Sequence, residues 1–202
     1  SMQQLINDEG QLTIPRALSL AARTADGLAA AHRDDIIHRD VKPDNIMLTK
    51  QGDPKISDFG LAKRVLNSKG KPVAEEICGT PNYMAPELFQ GKEASPASDV
   101  YALGVTLYLA LTGRLPYQAK SLQQLRWKGR NEPIPNVRRV RSDVPLEVAE
   151  CVSMMTAPAP GNRPKNAIEA SQLLHAVLGQ ERDLESLLIE AFRHKPGITW
   201  TR

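Results

Sequence analysis

The segment from Ile36 to Leu48, IIHRDVKPDNIML, concentrates reactive and polar side chains between two short apolar stretches. A surface loop needs polar groups to satisfy its backbone, but it rarely needs His, Arg, Asp, Lys and Asn together. This composition predicts that the segment does chemistry. The polar or ionisable residues between positions 38 and 45 are His38, Arg39, Asp40, Lys42, Asp44 and Asn45.

A second acidic motif, DFG at positions 58–60, follows this loop. Phosphoryl transfer needs one carboxylate to orient a substrate hydroxyl, and a second carboxylate with an amide oxygen to hold magnesium. It also needs a cation that offsets charge on the moving phosphoryl group. Residues of these types are present in order, so the pattern predicts phosphoryl transfer by Asp40, Lys42, Asn45 and Asp58.

The elements around the loop are predicted to hold it in place. Thr13 followed by Pro15 is a helix-start signal, and apolar residues then recur at helical spacing up to His32. This predicts a long helix that runs straight into the polar loop. Beyond the loop, the pieces IML and PKIS flank the turn residues 51–53 and should pair as a small hairpin.

The second half of the chain reads mainly as helices. Positions 58–87 show no period and predict a long functional loop. Ser95 or Ser98 should cap a buried helix to Leu111, which Thr112 and Gly113 end. Further helices are predicted over 121–128, 146–155 and 167–178. The last segment carries an apolar stripe, followed by a stop at 195–197; the stripe comprises Leu184, Leu187, Leu188, Ala191 and Phe192.

The composition limits the classes of protein to which the chain can belong. The 202 residues are 41% hydrophobic and 24% charged, enough for one domain or a large lobe of one. A basic run over 126–141 is either a solvated surface or an anion-binding patch. Cys78 and Cys151 predict neither a metal site nor a disulfide framework, which fits the cytoplasm. We expect no nucleic-acid partner and no membrane segment, since the run 101–111 is too short to span a bilayer.

The motifs HRDVKPDN, DFG and APE (85–87) occur in the order found in protein kinases, and the chain resembles eukaryotic-type (Hanks-type) Ser/Thr kinases. Its composition resembles bacterial members. The resemblance implies a mainly α fold, the helical bundle of the kinase C-terminal lobe with a small β-hairpin near the catalytic loop. It covers residues 1–178, and 179–202 are expected to form an extension with an amphipathic helix and a linker.

The resemblance also implies a role for individual residues. Asp40 matches the catalytic aspartate and Lys42 the lysine of Ser/Thr kinases, while Thr80 of GTPNY would hydrogen-bond both. Asn45 and Asp58 match the magnesium ligands, and together with Met47 they are assigned to the ATP site. The positions expected to support the structure are His38, Phe59, Glu87, Asp99 and Arg163. From the residues alone, Asp99 is also compatible with a simple helix cap.

The small N-terminal lobe of an intact kinase is not recognisable in this sequence. The region 1–20 contains no GxGxxG motif and has no room for five strands. The chain therefore resembles the lobe that uses ATP and magnesium to phosphorylate protein substrates, and it is expected to be inactive without its N-lobe. An artificial truncation, a natural fragment and a non-catalytic interaction module stay open. Leaving the apolar face of the lobe uncovered should favour self-association.

Regulation is predicted to involve the loop between Asp58 and Glu87. In many kinases with an arginine before the catalytic aspartate, as Arg39 is here, a loop phosphate neutralises that arginine. Glu76 of EEICGTP stands where the phosphate acceptor is expected, and Lys63 is placed to join Arg39 around it. The alternative is that Ser68 is the regulatory site and that the neighbouring glutamates are solvated.

Overall fold

The computed structural model of the protein describes residues 1–59 and 80–193, with side chains to residue 180. This part of the chain is mainly helical, and its two strands form one antiparallel hairpin. The strands are β1 (Ile46–Leu48) and β2 (Pro54–Ile56). The helices are α1 (Met2–Glu9), α2 (Ile14–Arg33), α3 (Pro96–Thr112), α4 (Leu122–Asn131), α5 (Leu146–Met155) and α6 (Ala167–Arg193).

Helix α2 forms where the sequence predicts it, with Thr13 at the N-cap and Pro15 in the first turn. One face is buried against α6 and α3, and it is rich in alanine and leucine. Small side chains let the helices approach closely while leucines fill the space between them. A Cβ added at Gly27 would lie 3.2 Å from Cδ1 of Ile56, so α2 also packs tightly on β2. The helix thus sets the position at which the polar loop begins.

The predicted hairpin is confirmed. Ile46 pairs with Ile56 and Leu48 with Pro54, and the turn between them contains Gly52 at a φ of 86°. Positive φ is costly for residues with a Cβ, which makes glycine the suitable residue there. The hairpin fixes the distance between the polar loop, which precedes β1, and Asp58, which follows β2.

Helix α3 is the centre of the core, with all but its first residue buried. Ser95 is the N-cap, and the hydroxyl oxygen of Ser98 accepts the backbone N–H of Ser95, so the two candidate caps act together in a capping box. Gly113 ends the helix in the left-handed conformation, as predicted. A Cβ at Gly104 would lie 2.9 Å from Cβ of Met155, so α3 and α5 pack closely there.

The remaining helices extend the sequence predictions. Helix α5 covers the predicted 146–155, whereas α4 runs three residues further than predicted, to Asn131. Helix α6 begins at Ala167 and continues past residue 178 to Arg193 without a break. The domain division at 178 stays a prediction, and the side chains of the apolar stripe over 184–192 lie outside the described ones. No helix in the described ranges is long and apolar enough to cross a membrane.

A buried ion pair joins Glu87 to Arg163, which precedes α6 by four residues. The Arg163 guanidinium donates to both carboxylate oxygens of Glu87 at 2.8 Å, and their side chains are 0% and 6% exposed. It also donates to carbonyl oxygens of Ala97, Ala157 and Pro158. These bonds compensate the cost of burying both charges. Glu87 and Arg163, which the resemblance assigns to support of the structure, are therefore bonded to each other in the fold.

The basic run over 126–141 is not uniformly solvated. Arg141 reaches inward, where its Nη1 donates to the carbonyl oxygens of Leu12 and Leu111. These carbonyls lie just before α2 and near the end of α3, so Arg141 joins two otherwise separate chain segments. Arg130 likewise donates to the Phe89 carbonyl. Neither role was visible in the sequence, because both acceptors are backbone groups distant along the chain.

Candidate active site

The polar loop before β1, the candidate catalytic loop, is held by a carboxylate of the core helix α3. Asp99 is 1% exposed; its Oδ2 accepts from the backbone N–H of His38 at 2.7 Å and its Oδ1 from that of Arg39 at 2.9 Å. Arg39 has a φ of 72°, a conformation that non-glycine residues adopt at a cost. The bonds to Asp99 fix this turn. Because Ser95 caps α3, Asp99 is not a simple helix cap.

The imidazole of His38 lies beneath this turn and is fully buried. Its Nδ1 accepts the backbone N–H of Asp40 at 3.2 Å, so the proton is on Nε2, which donates to the Ser57 carbonyl at 2.9 Å. The ring also packs on Phe59, with centroids 4.7 Å apart. Both nitrogens are used in holding the backbone. His38 thus connects the loop to the segment after β2, as a packed core histidine.

The carboxylate of Asp40 is the centre of the site. Its Oδ1 accepts from the backbone N–H of Thr80 at 2.9 Å and from the Thr80 hydroxyl at 3.2 Å. Its Oδ2 lies 2.7 Å from Nζ of Lys42 and 3.2 Å from Nδ2 of Asn45. Lys42 also donates to the Thr80 hydroxyl at 2.7 Å. The fold thus brings together four residues that the sequence analysis assigned to the site.

The same contacts determine the charge of Asp40. Burial alone would raise the pKa of this carboxyl, but hydrogen bonds from Lys42 and Thr80 and the charge of Lys42 lower it below its ordinary value. A carboxyl whose folded-state pKa is lowered stabilises the fold above its unfolded pKa, and this contribution is lost as the pH falls through the folded pKa. At neutral pH Asp40 is therefore a carboxylate, able to accept a hydrogen bond from a hydroxyl.

We expect Lys42→Met to raise the pKa of Asp40, because the substitution removes a hydrogen bond and a positive charge from Oδ2 while keeping an unbranched side chain. Carboxyl ¹³C shifts followed by NMR from pH 7 to pH 2 measure this. Lys55→Met is the matched control, since Lys55 is an exposed residue of β2. An Asp40 midpoint unchanged by Lys42→Met would contradict the assignment of Lys42 as its main partner.

Backbone hydrogen bonds also bring the segments of the two candidate magnesium ligands, Asn45 and Asp58, next to each other. Asn45 is buried, and its Nδ2 donates to the carbonyl oxygen and Oδ2 of Asp40, which leaves the amide Oδ1 for a cation. Ser57 donates its backbone N–H and its hydroxyl to the Asn45 carbonyl, and it immediately precedes Asp58. Asp58 is exposed and has a φ of 63°. These links tie the two candidate ligands to one backbone junction.

The chemistry of this donor pair fits Mg²⁺. Across the described residues no group of three or more His, Cys, Asp or Glu is arranged to hold a metal. A carboxylate and an amide oxygen nevertheless suit magnesium, which keeps several waters and takes the remaining ligands from substrate phosphates. Asn45 and Asp58 would therefore hold Mg²⁺ only together with a nucleotide. Their role stays a prediction.

The structure describes only some of the other predicted site residues. Met47 is 47% exposed on β1 and Phe59 is 40% exposed, which leaves apolar surface beside the site. The contact of Met47 with a nucleotide stays a prediction. The side chain of Arg39 is exposed. The other regulatory candidates, Lys63, Ser68 and Glu76, lie outside the described residues, and so does most of the loop that contains them.

Sequence reasoning missed one residue of this arrangement. His32 is buried, and its Nε2 lies 3.0 Å from Oδ2 of Asp99, the carboxylate that holds the loop. From the sequence, His32 is only the last position of the apolar period of α2 and is assigned no chemistry. No local pattern indicates this contact, because its partner Asp99 is 67 residues away along the chain.

Comparisons with known proteins show that the sequence is similar to protein kinases. Residues 1–183 match the family model described as the protein kinase domain. The serine/threonine-protein kinase PknK of Mycobacterium tuberculosis (strain ATCC 25618 / H37Rv) is 37% identical over 222 aligned residues. The serine/threonine-protein kinase PknB of Mycolicibacterium smegmatis is 34% identical over 197, and PknL of M. tuberculosis is 33% identical over 193.

These relatives are longer than the chain. The comparison with PknK covers 100% of the chain and 20% of that protein. For PknL the shares are 96% and 47%, and for PknB they are 96% and 31%. The chain thus spans less than half the length of each of the three.

Proposed function

The chain belongs to the protein kinase domain family, and on that premise we propose that it is the catalytic and substrate-binding lobe of a Ser/Thr kinase. The reaction would transfer the γ-phosphate of ATP to a serine or threonine of a protein substrate. The observation that carries the proposal is that Lys42, Asn45 and Thr80 all contact the carboxylate of Asp40, through an ion pair and hydrogen bonds. A module that only binds partners has no physical need for this arrangement.

Each residue has a defined task in this proposal. Asp40 accepts a hydrogen bond from the substrate hydroxyl and orients it for attack on the phosphorus; it is held in place by Thr80 and Asn45. Lys42 places its ammonium group beside Asp40, where it would offset negative charge on the moving phosphoryl group. Bound Mg²⁺ would neutralise phosphate charge, and Asn45 and Asp58 are the residues that would hold it.

The preference for serine and threonine rests on Lys42 and Thr80. The hydroxyl of Thr80 lies between Lys42 and Asp40, and the 3-10 turn Pro81–Tyr83 begins directly after it. The substrate backbone is proposed to lie along this turn. The short side chains of serine and threonine would then bring their hydroxyl to Asp40. Lys42 also matches the lysine that is typical of Ser/Thr kinases.

A small lobe is proposed to complete the ATP site. The exposed apolar side chains of Ile36, Met47 and Phe59, 47%, 47% and 40% exposed, lie close to the candidate loop in sequence. Burying apolar side chains of this size against a partner lowers the free energy of the complex. The small lobe would supply contacts to the phosphates of ATP, and in its absence these exposed apolar side chains would favour self-association at high concentration.

Control of activity is proposed to use the loop between Asp58 and Glu87. Glu76 would stand in for a loop phosphate beside Arg39 and Lys63, so the two-lobed kinase would be active without phosphorylation of Ser68. A carboxylate carries less charge than a phosphate, so this ordering would be weaker. A large loss of activity with Ser68→Ala and none with Glu76→Ala would refute this part of the proposal.

The proposed function is tested by comparing the isolated chain with the same chain fused behind the small lobe of a kinase relative. Transfer of labelled γ-phosphate to a mixed protein substrate is measured, followed by phosphoamino-acid analysis. We expect no transfer by the isolated chain and transfer to serine or threonine by the fusion. A fusion that binds Mg²⁺–ATP and partner proteins without any transfer would instead support the non-catalytic interaction module.

A further inference from the structure

The guanidinium of Arg141, at the end of the basic run, binds the C-terminal end of the core helix α3. Its side chain is 13% exposed, and its Nη1 donates to the carbonyl oxygens of Leu111 at 3.0 Å and Leu12 at 2.7 Å. Leu111 lies in the last turn of α3, where carbonyl oxygens have no partner within the helix. A cation at this end is also favoured by the helix dipole. Arg141 therefore caps α3 and holds Leu12 to it.

The segment that contains Leu12 fits closely against the end of α3. The backbone N–H of Leu12 donates to the carbonyl oxygen of Ala110 at 2.8 Å, and the Leu12 side chain is fully buried. A Cβ added at Gly113 would overlap the carbonyl oxygen of Gly10, so the two backbones are in contact there. Because Gly10 is the C-cap of α1, these contacts and the bonds from Arg141 fix where α1 ends.

Helix α1 in turn lies against the turn that carries a candidate magnesium ligand. It contacts the 3-10 turn Pro43–Asn45 and strand β1, and its side chains Met2 and Ile6 are buried in the same core as Ile46. Close-packed interiors are stiff and transmit displacements from one element to the next. A shift of α1 would therefore move the backbone of Asn45.

We infer that Arg141 is a positioning residue for the side of the candidate site that would hold Mg²⁺ and nucleotide. It anchors the end of α1, and α1 supports the turn that carries Asn45. The inference rests on the proposed function only in naming Asn45 a magnesium ligand. Arg141 itself touches no group assigned to the reaction: its other side-chain contact is the carboxylate of Asp143, which is 66% exposed and lies 3.1 Å from Nε.

Matched substitutions separate this role from a general contribution to stability. Arg141→Met keeps an unbranched side chain and removes every donor. Arg141→Lys keeps the charge but replaces the planar fork of donors by a single nitrogen. Asp143→Asn weakens the exposed ion pair and leaves the two carbonyl bonds in place. Arg139→Met is the control, because Arg139 is an exposed residue of the same basic run whose side chain has no hydrogen bond to the described residues.

The readout is amide hydrogen exchange in the full chain, measured with the urea midpoint of each variant. The reporting amides are those of Leu12, which donates to Ala110, and of Asn45, which donates to the carbonyl oxygen of Lys42 at 3.1 Å. The reference is the amide of Ala170, which donates to Asn166 at the start of α6. Its exchange follows global stability and not the position of α1.

We expect Arg141→Met to accelerate exchange at both reporting amides about tenfold or more beyond its effect at Ala170, because two carbonyls lose a charged donor. Arg141→Lys should lie between this variant and the unsubstituted chain. Arg139→Met and Asp143→Asn should have little effect. In the two-lobed fusion, Arg141→Met should raise the KM for Mg²⁺–ATP several-fold, with a smaller change in turnover at saturation.

The exchange measurement decides the inference independently of kinase activity. An equal effect at Ala170 and at both reporting amides would overturn it and leave Arg141 a residue of general stability. Acceleration at Leu12 without acceleration at Asn45 would also overturn it, since the end of α1 would then move without the site. Selective acceleration at both amides supports it, even if the fusion transfers no phosphate. A fusion that is inactive with Arg141 unsubstituted would count against the proposed function alone.

Discussion

Asp40→Asn should lower the turnover of the two-lobed fusion by about 10²- to 10⁴-fold, the range typical for loss of a general base. The substitution keeps the shape of the side chain. The amide, however, replaces one carboxylate oxygen with an N–H donor and removes the negative charge. It would also face Lys42 and Thr80, which both donate hydrogen bonds to Asp40. The substrate hydroxyl would then lose its acceptor.

The measurement is steady-state phosphate transfer at saturating Mg²⁺–ATP. Asp8→Asn is the matched control, because it makes the same chemical change at an exposed position of α1 and should leave turnover within experimental error. Nucleotide affinity should be nearly unchanged in Asp40→Asn, since Asp40 is not assigned to bind the phosphates. Near-normal turnover of Asp40→Asn would mean that another group orients the hydroxyl.

Arg163→Ala should destabilise the chain by about 3–5 kcal/mol, the loss typical of removing one partner from a buried ion pair. Glu87 would be left as a buried charge without its bidentate partner. The carbonyl oxygens of Ala97, Ala157 and Pro158 would also lose their donor. Since most domains have a total stability of about 5–15 kcal/mol, this loss is a large part of the whole.

Urea unfolding followed by circular dichroism measures the effect. Arg16→Ala is the control: it removes the arginine of an ion pair with Glu9 whose side chains are 48% and 37% exposed, and should cost at most about 1 kcal/mol. Replacing Arg163 and Glu87 together by methionine should recover part of the loss, because no charge is then left unpaired. Equal losses for Arg163→Ala and Arg16→Ala would show that the buried pair carries no special energy.

Much of the fold could be predicted because its signals are local. The first turn of α2, both ends of α3 and the hairpin follow from caps, prolines, glycines and apolar periodicity within a few residues of each position. The full extent of α6 was not predicted, because its apolar period alone does not mark an end at Leu178 or beyond it. Helix α1 was not predicted either, since its eight residues carry only two buried apolar positions.

The candidate site also has a part that the sequence predicts and a part that it does not. The types and order of Asp40, Lys42, Asn45 and Asp58 indicate phosphoryl transfer from the sequence alone, because the chemistry dictates which groups are needed. Only the tertiary structure placed Thr80 on Asp40 and His32 between Asp99 and the backbone N–H of Ala167. The two partners of His32 lie 67 and 135 residues from it along the chain. Which distant groups meet a buried histidine is decided by how helices pack, and no local pattern records that.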